Sequence, residues 1–274
     1  MKFVVFLLLL LTSCANEAPI YSNDKRVIRD EIITDSIVKD LTLLAHTDSV
    51  FRELDLVDII SINSSIQVDL KYATEDNFMG VILYDTLKRV YLNRTVALRL
   101  SKCQDYLDSI RPGYSLLVYD GVRPLLVQKE MWEALDSIPT SRRGKFVSNP
   151  FRGSVHNFGA AVDLTILDSL GEALDMGAGY DDFNKIAFPS LESIYLKSGQ
   201  LTRVQVNNRQ LLRKVMHSQR FSGIPSEWWH FNAYSRVTAS QKFSRLLTES
   251  GKADFNKLVP LIKDSLIVVD TIKF

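Results

Sequence analysis

The stretch SVHNFGAAVDLT, residues 154–165, contains two candidate metal ligands, and other motifs of the chain supply further candidate residues for the same site. It supplies His156 and Asp163, and a second stretch, EWWH at residues 227–230, adds His230. Two histidines and an aspartate are a three-ligand set for zinc, and three protein ligands leave the fourth position open for water. The chain has 4 histidines in all, and this hypothesis assigns half of them to the metal. The pattern predicts a catalytic site with one zinc ion per chain.

The spacing between His156 and Asp163 excludes one regular strand as the carrier of both. Side chains alternate between the two faces of a strand, so an odd separation places two residues on opposite faces. Gly159 lies between them, and a glycine lets the backbone turn or approach another segment closely. Residues 161–166 then fit a buried strand that carries Asp163 inward.

Glu227 precedes His230 by three residues and is the candidate base that takes a proton from the zinc-bound water. Two simpler explanations remain open on the residues alone. A His–Asp pair at this spacing arises by chance, and EWWH also fits an aromatic core edge with a hydrogen-bonded histidine.

Composition limits the classes of function. A chain of 274 residues that is 46% apolar supports one large domain with extensions. The formal net charge of +1 indicates no polyanionic partner, and no basic stripe with interleaved aromatic residues points to nucleic acid.

The N-terminus is typical of an exported lipoprotein. Residues 1–13 have a basic start and an apolar run too short to span a bilayer, which predicts a signal peptide. LTSC, ending at Cys14, looks like a bacterial lipobox; the alternative is an ordinary signal peptide with an incidental cysteine. Acyl chains contribute about 0.8 kcal/mol per buried methylene, so a multiply acylated Cys14 would anchor the protein to a membrane of the cell envelope.

The expected domain organisation follows. Residues 14–50 are a polar, lipid-anchored tether, residues 51–247 form the catalytic domain, and residues 248–274 are a C-terminal extension ending in a β-branched run. Cys103 has no partner once Cys14 is lipidated, so no intramolecular disulfide is expected and Cys103 is predicted to be buried.

Hydrophobic periodicity predicts a mixture of helices and strands. Residues 95–110, 127–135, 209–216 and 241–247 are predicted helices, residues 57–70 and 114–119 include predicted strands, and residues 139–150 are a predicted loop.

Arg123, in DGVRP at residues 120–124, follows a predicted core strand. Burying an arginine costs free energy unless an anion meets it, and the tetrahedral intermediate of peptide hydrolysis is one such anion. Pairing of Arg123 with Asp120 is an equally good account.

The two metal-ligand stretches and four further segments, in the same order, resemble the zinc D-alanyl-D-alanine dipeptidases (VanX-like D-Ala-D-Ala metallopeptidases). The resemblance covers about residues 55–235. The further segments are DLKYAT at 69–74, DGVRP at 120–124, MGAGYDDF at 176–183, and NRQLLRKVM at 208–216.

The resemblance implies an α+β fold with a small antiparallel sheet flanked by helices, as in the Hedgehog/DD-peptidase-like fold. It also implies zinc-dependent hydrolysis of D-Ala-D-Ala to D-alanine, with Glu227 as general base and acid and Arg123 stabilising the oxyanion. Tyr72, Ser154 and Asp181 would then bind this small dipeptide. Asp181 would hold its ammonium group, unless a register error exchanges Asp181 with Asp182.

Two alternatives remain. The first is a D,D-carboxypeptidase or another peptidoglycan peptidase of the same fold, because Asn157-Phe158 stands where family members more often have a polar-basic pair. The second is a non-catalytic, lipid-anchored peptide-binding protein.

Overall fold

The computed structural model describes residues 47–250. The predicted signal peptide, Cys14, most of the tether and the C-terminal β-branched run lie outside the described residues. Residues 47–50, the last of the predicted tether, lie in a helical segment in which Thr47 is buried and Asp48 pairs with Arg89.

The elements of the described residues are short, apart from two long helices. The strands are β1 Leu56–Asp58, β2 Gln67–Val68, β3 Tyr91–Asn93, β4 Ser115–Asp120, β5 Ala161–Leu167, β6 Ser222–Ile224 and β7 Glu227–Asn232. The helices are α1 Ile59–Ile62, α2 Arg94–Ile110, α3 Leu125–Ala134, α4 Thr140–Arg143, α5 Glu192–Lys197, α6 Arg203–Ser218 and α7 Arg236–Lys242. Four 3₁₀ turns, Lys71–Ala73, Val155–Phe158, Lys185–Ala187 and Pro189–Leu191, connect them.

The main sheet has five strands in the order β2-β4-β5-β7-β6. All neighbours are antiparallel except the edge pair β2–β4, which is parallel. β1 and β3 form a separate antiparallel pair. The predicted α+β class with a small antiparallel sheet is confirmed, with one parallel pair added at the edge.

The longest helix, α2, places a regular series of apolar side chains in the core. In α2, Val96, Leu100, Cys103 and Leu107 are fully buried at spacings of three and four, as the periodicity predicts. The Asn93 side chain caps α2 by accepting from the Thr95 N–H at 3.1 Å. α2 and α6 pack against each other. No helix among residues 47–250 is both long and apolar enough to cross a membrane.

The half-buried strand expected in the second half of residues 57–70 is present as β2, and before it residues 59–62 form a helical turn in which Asp58 accepts from the Ile60 N–H at 3.1 Å. One helix was predicted too late in the chain. The last predicted helix lies earlier, at α7, where Ser235 accepts from the Thr238 N–H at 3.1 Å. The chain then extends, and the Leu246 N–H donates to the Asn157 carbonyl at 2.8 Å.

Two further segments contribute structure beyond their predicted roles. The loop predicted at residues 139–150 contains α4 and buries Val147. At the start of the predicted extension, Glu249 accepts hydrogen bonds from the backbone N–H groups of Asp85, Thr86 and Leu87 at 2.6–3.0 Å.

Candidate active site

The register of the main sheet aligns three ionisable side chains on neighbouring strands. Asp163 on β5 pairs with Asp120 on β4 and with His230 on β7. Directly paired residues in antiparallel strands present their side chains on the same face, close together. The sheet therefore brings two carboxylates and an imidazole together from distant parts of the chain.

His156 reaches the same place from the 3₁₀ turn before β5. The Ser154 hydroxyl caps this turn by accepting from the His156 N–H at 3.3 Å. The turn ends at Gly159, whose φ is +59°. A Cβ at this position would lie 2.5 Å from Leu56 Cδ2 and 2.8 Å from the Asn93 nitrogen, so only glycine fits. The prediction that Gly159 redirects the backbone between His156 and Asp163 is confirmed.

The three predicted metal ligands converge on one point. His156 Nε2 lies 3.1 Å from His230 Nδ1 and 3.3 Å from Asp163 Oδ1, and His230 Nδ1 lies 2.9 Å from Asp163 Oδ1. A tetrahedral zinc ion with bonds of about 2.0–2.1 Å places its ligand atoms about 3.3 Å apart. All three residues are buried and form a group able to hold a metal ion.

Hydrogen bonds fix which nitrogen of each histidine faces the group. His156 Nδ1 donates to the Gly121 carbonyl at 2.7 Å, and His230 Nε2 donates to Asn232 Oδ1 at 3.0 Å. The other two nitrogens then present lone pairs to each other and to the Asp163 carboxylate. With both histidines neutral, three acceptors in contact repel one another unless a cation lies between them, so this ligand set fits a zinc ion.

The charge state of Asp163 agrees with this arrangement. Burial acts to raise the pKa of its carboxyl group, but without a metal the charge and N–H donors that His156 and His230 carry when protonated outweigh burial and hold that pKa below its usual value. The carboxylate is therefore the form present at neutral pH.

Glu227 lines the same cavity as His230 although the two are three residues apart on β7. The pairing of β6 with β7 jumps from Gly223–Phe231 to Ile224–Glu227, so β7 does not alternate regularly between these positions. Burial raises the pKa of Glu227, against the opposing effect of His230. A raised pKa brings a carboxylate closer to the range in which it exchanges protons at neutral pH.

Arg123 is buried and paired with Asp120, the alternative that the sequence left open. Its Nε and Nη2 donate to Asp120 Oδ2 at 3.0 and 2.7 Å. Tyr84 also donates to Asp120, at 2.7 Å, so this carboxylate is held on two sides. Within residues 47–250 no hydrogen bond is formed by Arg123 Nη1, and Arg123 lines the cavity. The ion pair therefore orients the guanidinium without using all of its donors.

Tyr72 and Asp181 form a second polar group of the cavity. The Tyr72 hydroxyl lies 3.1 and 3.2 Å from the two carboxylate oxygens of Asp181. Burial, followed by the charge of Asp163, raises the pKa of Asp181 to about 8. Asp182 instead accepts from the Asn184 N–H at 2.8 Å and does not line the cavity.

All eight predicted site residues line one cavity of about 650 Å³. They are Tyr72, Arg123, Ser154, His156, Asp163, Asp181, Glu227 and His230.

Two residues of this site were not predicted from the sequence. Asn232, which fixes the His230 tautomer, lies two positions after His230 and so on the same face of a strand; this periodicity was a usable signal. The Tyr180 hydroxyl lies 3.3 Å from Asp163 Oδ2 and its ring packs 5.5 Å from that of Trp229. Tyr180 comes from a loop, where no periodicity indicates its direction.

The known proteins that this chain resembles share one family description. Residues 52–247 match the Peptidase_M15 family, D-ala-D-ala dipeptidase. The D-alanyl-D-alanine dipeptidase of Escherichia coli (strain K12) is 33% identical over 177 residues, covering 65% of this chain and 83% of that protein. That of Enterococcus faecalis (strain ATCC 700802 / V583) is 31% identical over 182 residues, covering 61% of this chain and 85% of that protein.

Among solved structures, VanYB in complex with D-Alanine-D-Alanine covers 69% of this chain and 88% of that chain. The identity is 14% and the TM-score 0.34, which is too low to transfer any site geometry. The extent of the family match and the identity to the Escherichia coli protein establish that this chain is an enzyme, a hydrolase that belongs to the M15 peptidase family of D-Ala-D-Ala dipeptidases.

Proposed function

We propose that this enzyme hydrolyses D-alanyl-D-alanine to two molecules of D-alanine, with one zinc ion held by His156, Asp163 and His230. The main support for the proposal is that three acceptor atoms lie 2.9–3.3 Å apart, while hydrogen bonds from the opposite ring nitrogens fix the tautomers of both histidines. The names of the related dipeptidases support the choice of substrate.

Zinc bound at this position supplies a Lewis acid and lowers the pKa of a coordinated water to about 7. Glu227 accepts the proton of the attacking water and returns it to the amine of the leaving residue. Its partial burial favours this role, because a base with a raised pKa both takes and releases a proton near neutral pH.

Arg123 stabilises the negative charge that develops on the carbonyl oxygen. Asp120 holds Nε and Nη2 in a fixed orientation, which leaves Nη1 as the donor toward the cavity. A preorganised donor needs no rearrangement as the charge forms, and removal of one such donor commonly slows turnover by about 10²–10³-fold.

Asp181 binds the substrate ammonium group, whose positive charge favours the ionised form of a carboxyl group with a pKa of about 8, and Tyr72 orients that carboxylate. An N-acylated peptide has no ammonium group, so it would bury Asp181 without an ionic partner. This contact explains a preference for free dipeptides over longer wall peptides. The Ser154 hydroxyl, whose oxygen accepts from the His156 N–H, keeps its own proton to donate to the substrate.

The test compares D-Ala-D-Ala with an N-acylated peptide ending in D-Ala-D-Ala, with and without a zinc chelator. We expect chelator-sensitive release of alanine from the free dipeptide alone. Cleavage of only the blocked peptide would replace the proposal with a D,D-carboxypeptidase.

The variant Glu227→Gln tests the general base. It should retain one zinc ion per chain by metal analysis, yet lose about 10²–10⁴-fold in kcat. A variant with full activity would remove Glu227 from the mechanism.

We further propose that the enzyme is exported and anchored to a bacterial membrane through lipidated Cys14. Support comes from the basic start, the apolar run and the LTSC sequence of the first 14 residues. Cells fed labelled palmitate should label the protein but not its Cys14→Ser variant; equal labelling would contradict the anchor.

A further inference from the structure

Asp181 and Arg236 both line the cavity, and they lie near opposite ends of β7, the strand that carries His230. At the start of β7, the loop that carries Asp181 is attached by a hydrogen bond from Trp228 Nε1 to the Ala178 carbonyl at 3.1 Å. Arg236 lies past the other end of β7, four residues after Asn232, and also lines the cavity. His230 is between them on the strand. Asp181 and Arg236 therefore lie on opposite sides of His230 along β7, and both face the cavity.

Arg236 is held in position without using its charge. Its Nη1 donates to the Arg152 carbonyl at 3.0 Å, next to the turn that carries Ser154 and His156. Within residues 47–250 Arg236 forms no ion pair; the lysines and arginines paired with carboxylates there are Lys71, Arg89, Arg94, Arg123, Lys129, Arg209 and Arg213.

A second guanidinium, that of Arg245, lies 3.1 Å from where a Cβ on Gly153 would be, one residue from the Arg152 carbonyl that Arg236 contacts. Its Cζ lies 5.2 Å from the centre of the Phe158 ring, in the turn that carries His156. Burial, and then the positive charge of Arg236, lowers the pKa of Arg245. Arg245 also forms no ion pair with a carboxylate of the described residues. Two neighbouring cations repel each other, and a bound anion would offset that repulsion.

The proposed substrate has a carboxylate for this position. A D,D-dipeptide is a zwitterion, and Asp181 occupies its ammonium end. The planar guanidinium of arginine matches a carboxylate with two parallel hydrogen bonds. We propose that Arg236, with Arg245 beside it, binds the α-carboxylate of the residue that leaves on hydrolysis.

The experiment measures kcat and KM of Arg236→Gln on D-Ala-D-Ala and on its C-terminal amide, which lacks the carboxylate. We expect KM for the free acid to rise about 10- to 100-fold, with kcat nearly unchanged, because a contact made equally in the ground and transition states is lost. KM for the amide should change by less than about twofold. Equal changes for the two substrates would overturn the assignment.

Two variants serve as controls. Arg203→Gln removes the same charge from an exposed position at the start of α6, away from the cavity, and should leave both KM values unchanged. Arg236→Lys keeps the charge and should restore part of the affinity for the free acid. A KM for the acid in Arg236→Lys as high as in Arg236→Gln would argue against recognition by charge.

This inference depends on the proposed function for its substrate, so binding is measured separately from turnover. Calorimetry with zinc-loaded Glu227→Gln, with and without Arg236→Gln, gives the affinity for intact D-Ala-D-Ala and for the amide. If the unmodified enzyme cleaves no D,D-dipeptide, the proposed function fails by itself. Loss of affinity for the acid alone would still support Arg236, and equal affinities with and without Arg236 would overturn it.

Discussion

The metal-ligand group and Asp181 line one cavity, but different parts of the fold hold them. Asp163 and His230 are fixed by strand register in the middle of the main sheet. Asp181 lies in a loop, residues 176–186, with a positive φ of 58°. The sheet-held group is positioned by many shared backbone hydrogen bonds, whereas the loop depends on a few side chains.

One arginine of α6 joins both ends of that loop. Arg209, 1% exposed, donates from Nε to the Met176 carbonyl at 2.6 Å and from Nη2 to the Ile186 carbonyl at 3.0 Å. Asn208 adds a hydrogen bond to the Asp175 carbonyl at 2.8 Å. The metal-ligand group and Asp181 are therefore supported by different parts of the fold, so each should be alterable without the other.

The largest of these effects is expected on zinc affinity, from a change at Asn232, the hydrogen-bond partner of His230. Asn232→Ala removes the acceptor that keeps the proton on His230 Nε2, and loss of such a partner typically lowers metal affinity by about 10- to 100-fold. Competition with a zinc chelator measures this. Asn232→Asp keeps an acceptor and should bind zinc at least as well as the unmodified enzyme. An unchanged zinc affinity in Asn232→Ala would show that the sheet alone fixes the ligand.

A smaller effect is expected from the loop. Arg209→Met frees both ends of residues 176–186, so KM for D-Ala-D-Ala should rise about tenfold, or about 1.4 kcal/mol, while zinc affinity stays the same. Arg213→Met is the matched control, because Arg213 pairs with Glu192 and does not contact the loop. A parallel loss of zinc affinity would contradict the separation of the two regions.

A third prediction concerns the pH dependence of stability in the zinc-free protein. The folded-state pKa of Asp181, about 8, lies above the ordinary value of about 3.9. Between these values the folded state holds a proton that the unfolded state lacks, so the free energy of unfolding falls as pH rises, by up to about 1.4 kcal/mol per unit.

Asp181→Asn cannot lose this proton, so that contribution should be missing from its pH profile. Urea unfolding of both proteins at pH 5, 6, 7 and 8 measures the difference. Profiles that run parallel over this range would show that Asp181 titrates normally.

The sequence was informative where the necessary contacts are local. The apolar spacing of α2, and the glycine between His156 and Asp163, lie within short stretches, and the structure agrees with both. The alignment of Asp120, Asp163 and His230 depends on pairing between strands far apart in the chain, which no local pattern specifies. The family resemblance supplied what periodicity did not.

Other features needed tertiary structure. Arg209 lies in a predicted helix, but its two carbonyl partners are in a distant loop, so the sequence pattern does not show its role. The shift of the last helix to α7 has a local cause in Ser235, and the extended residues after it are fixed by the backbone of Asn157.

Gly159 has a consequence for protein engineering. Its carbonyl accepts from the Asn93 N–H at 2.9 Å, and its missing side chain leaves room for Leu56, so the small β1–β3 sheet supports the turn that presents His156. Residues 154–165 alone are therefore not expected to bring His156 and Asp163 together outside this fold. A graft of that segment into another scaffold would need a matching surface beneath the glycine before His156 and Asp163 met.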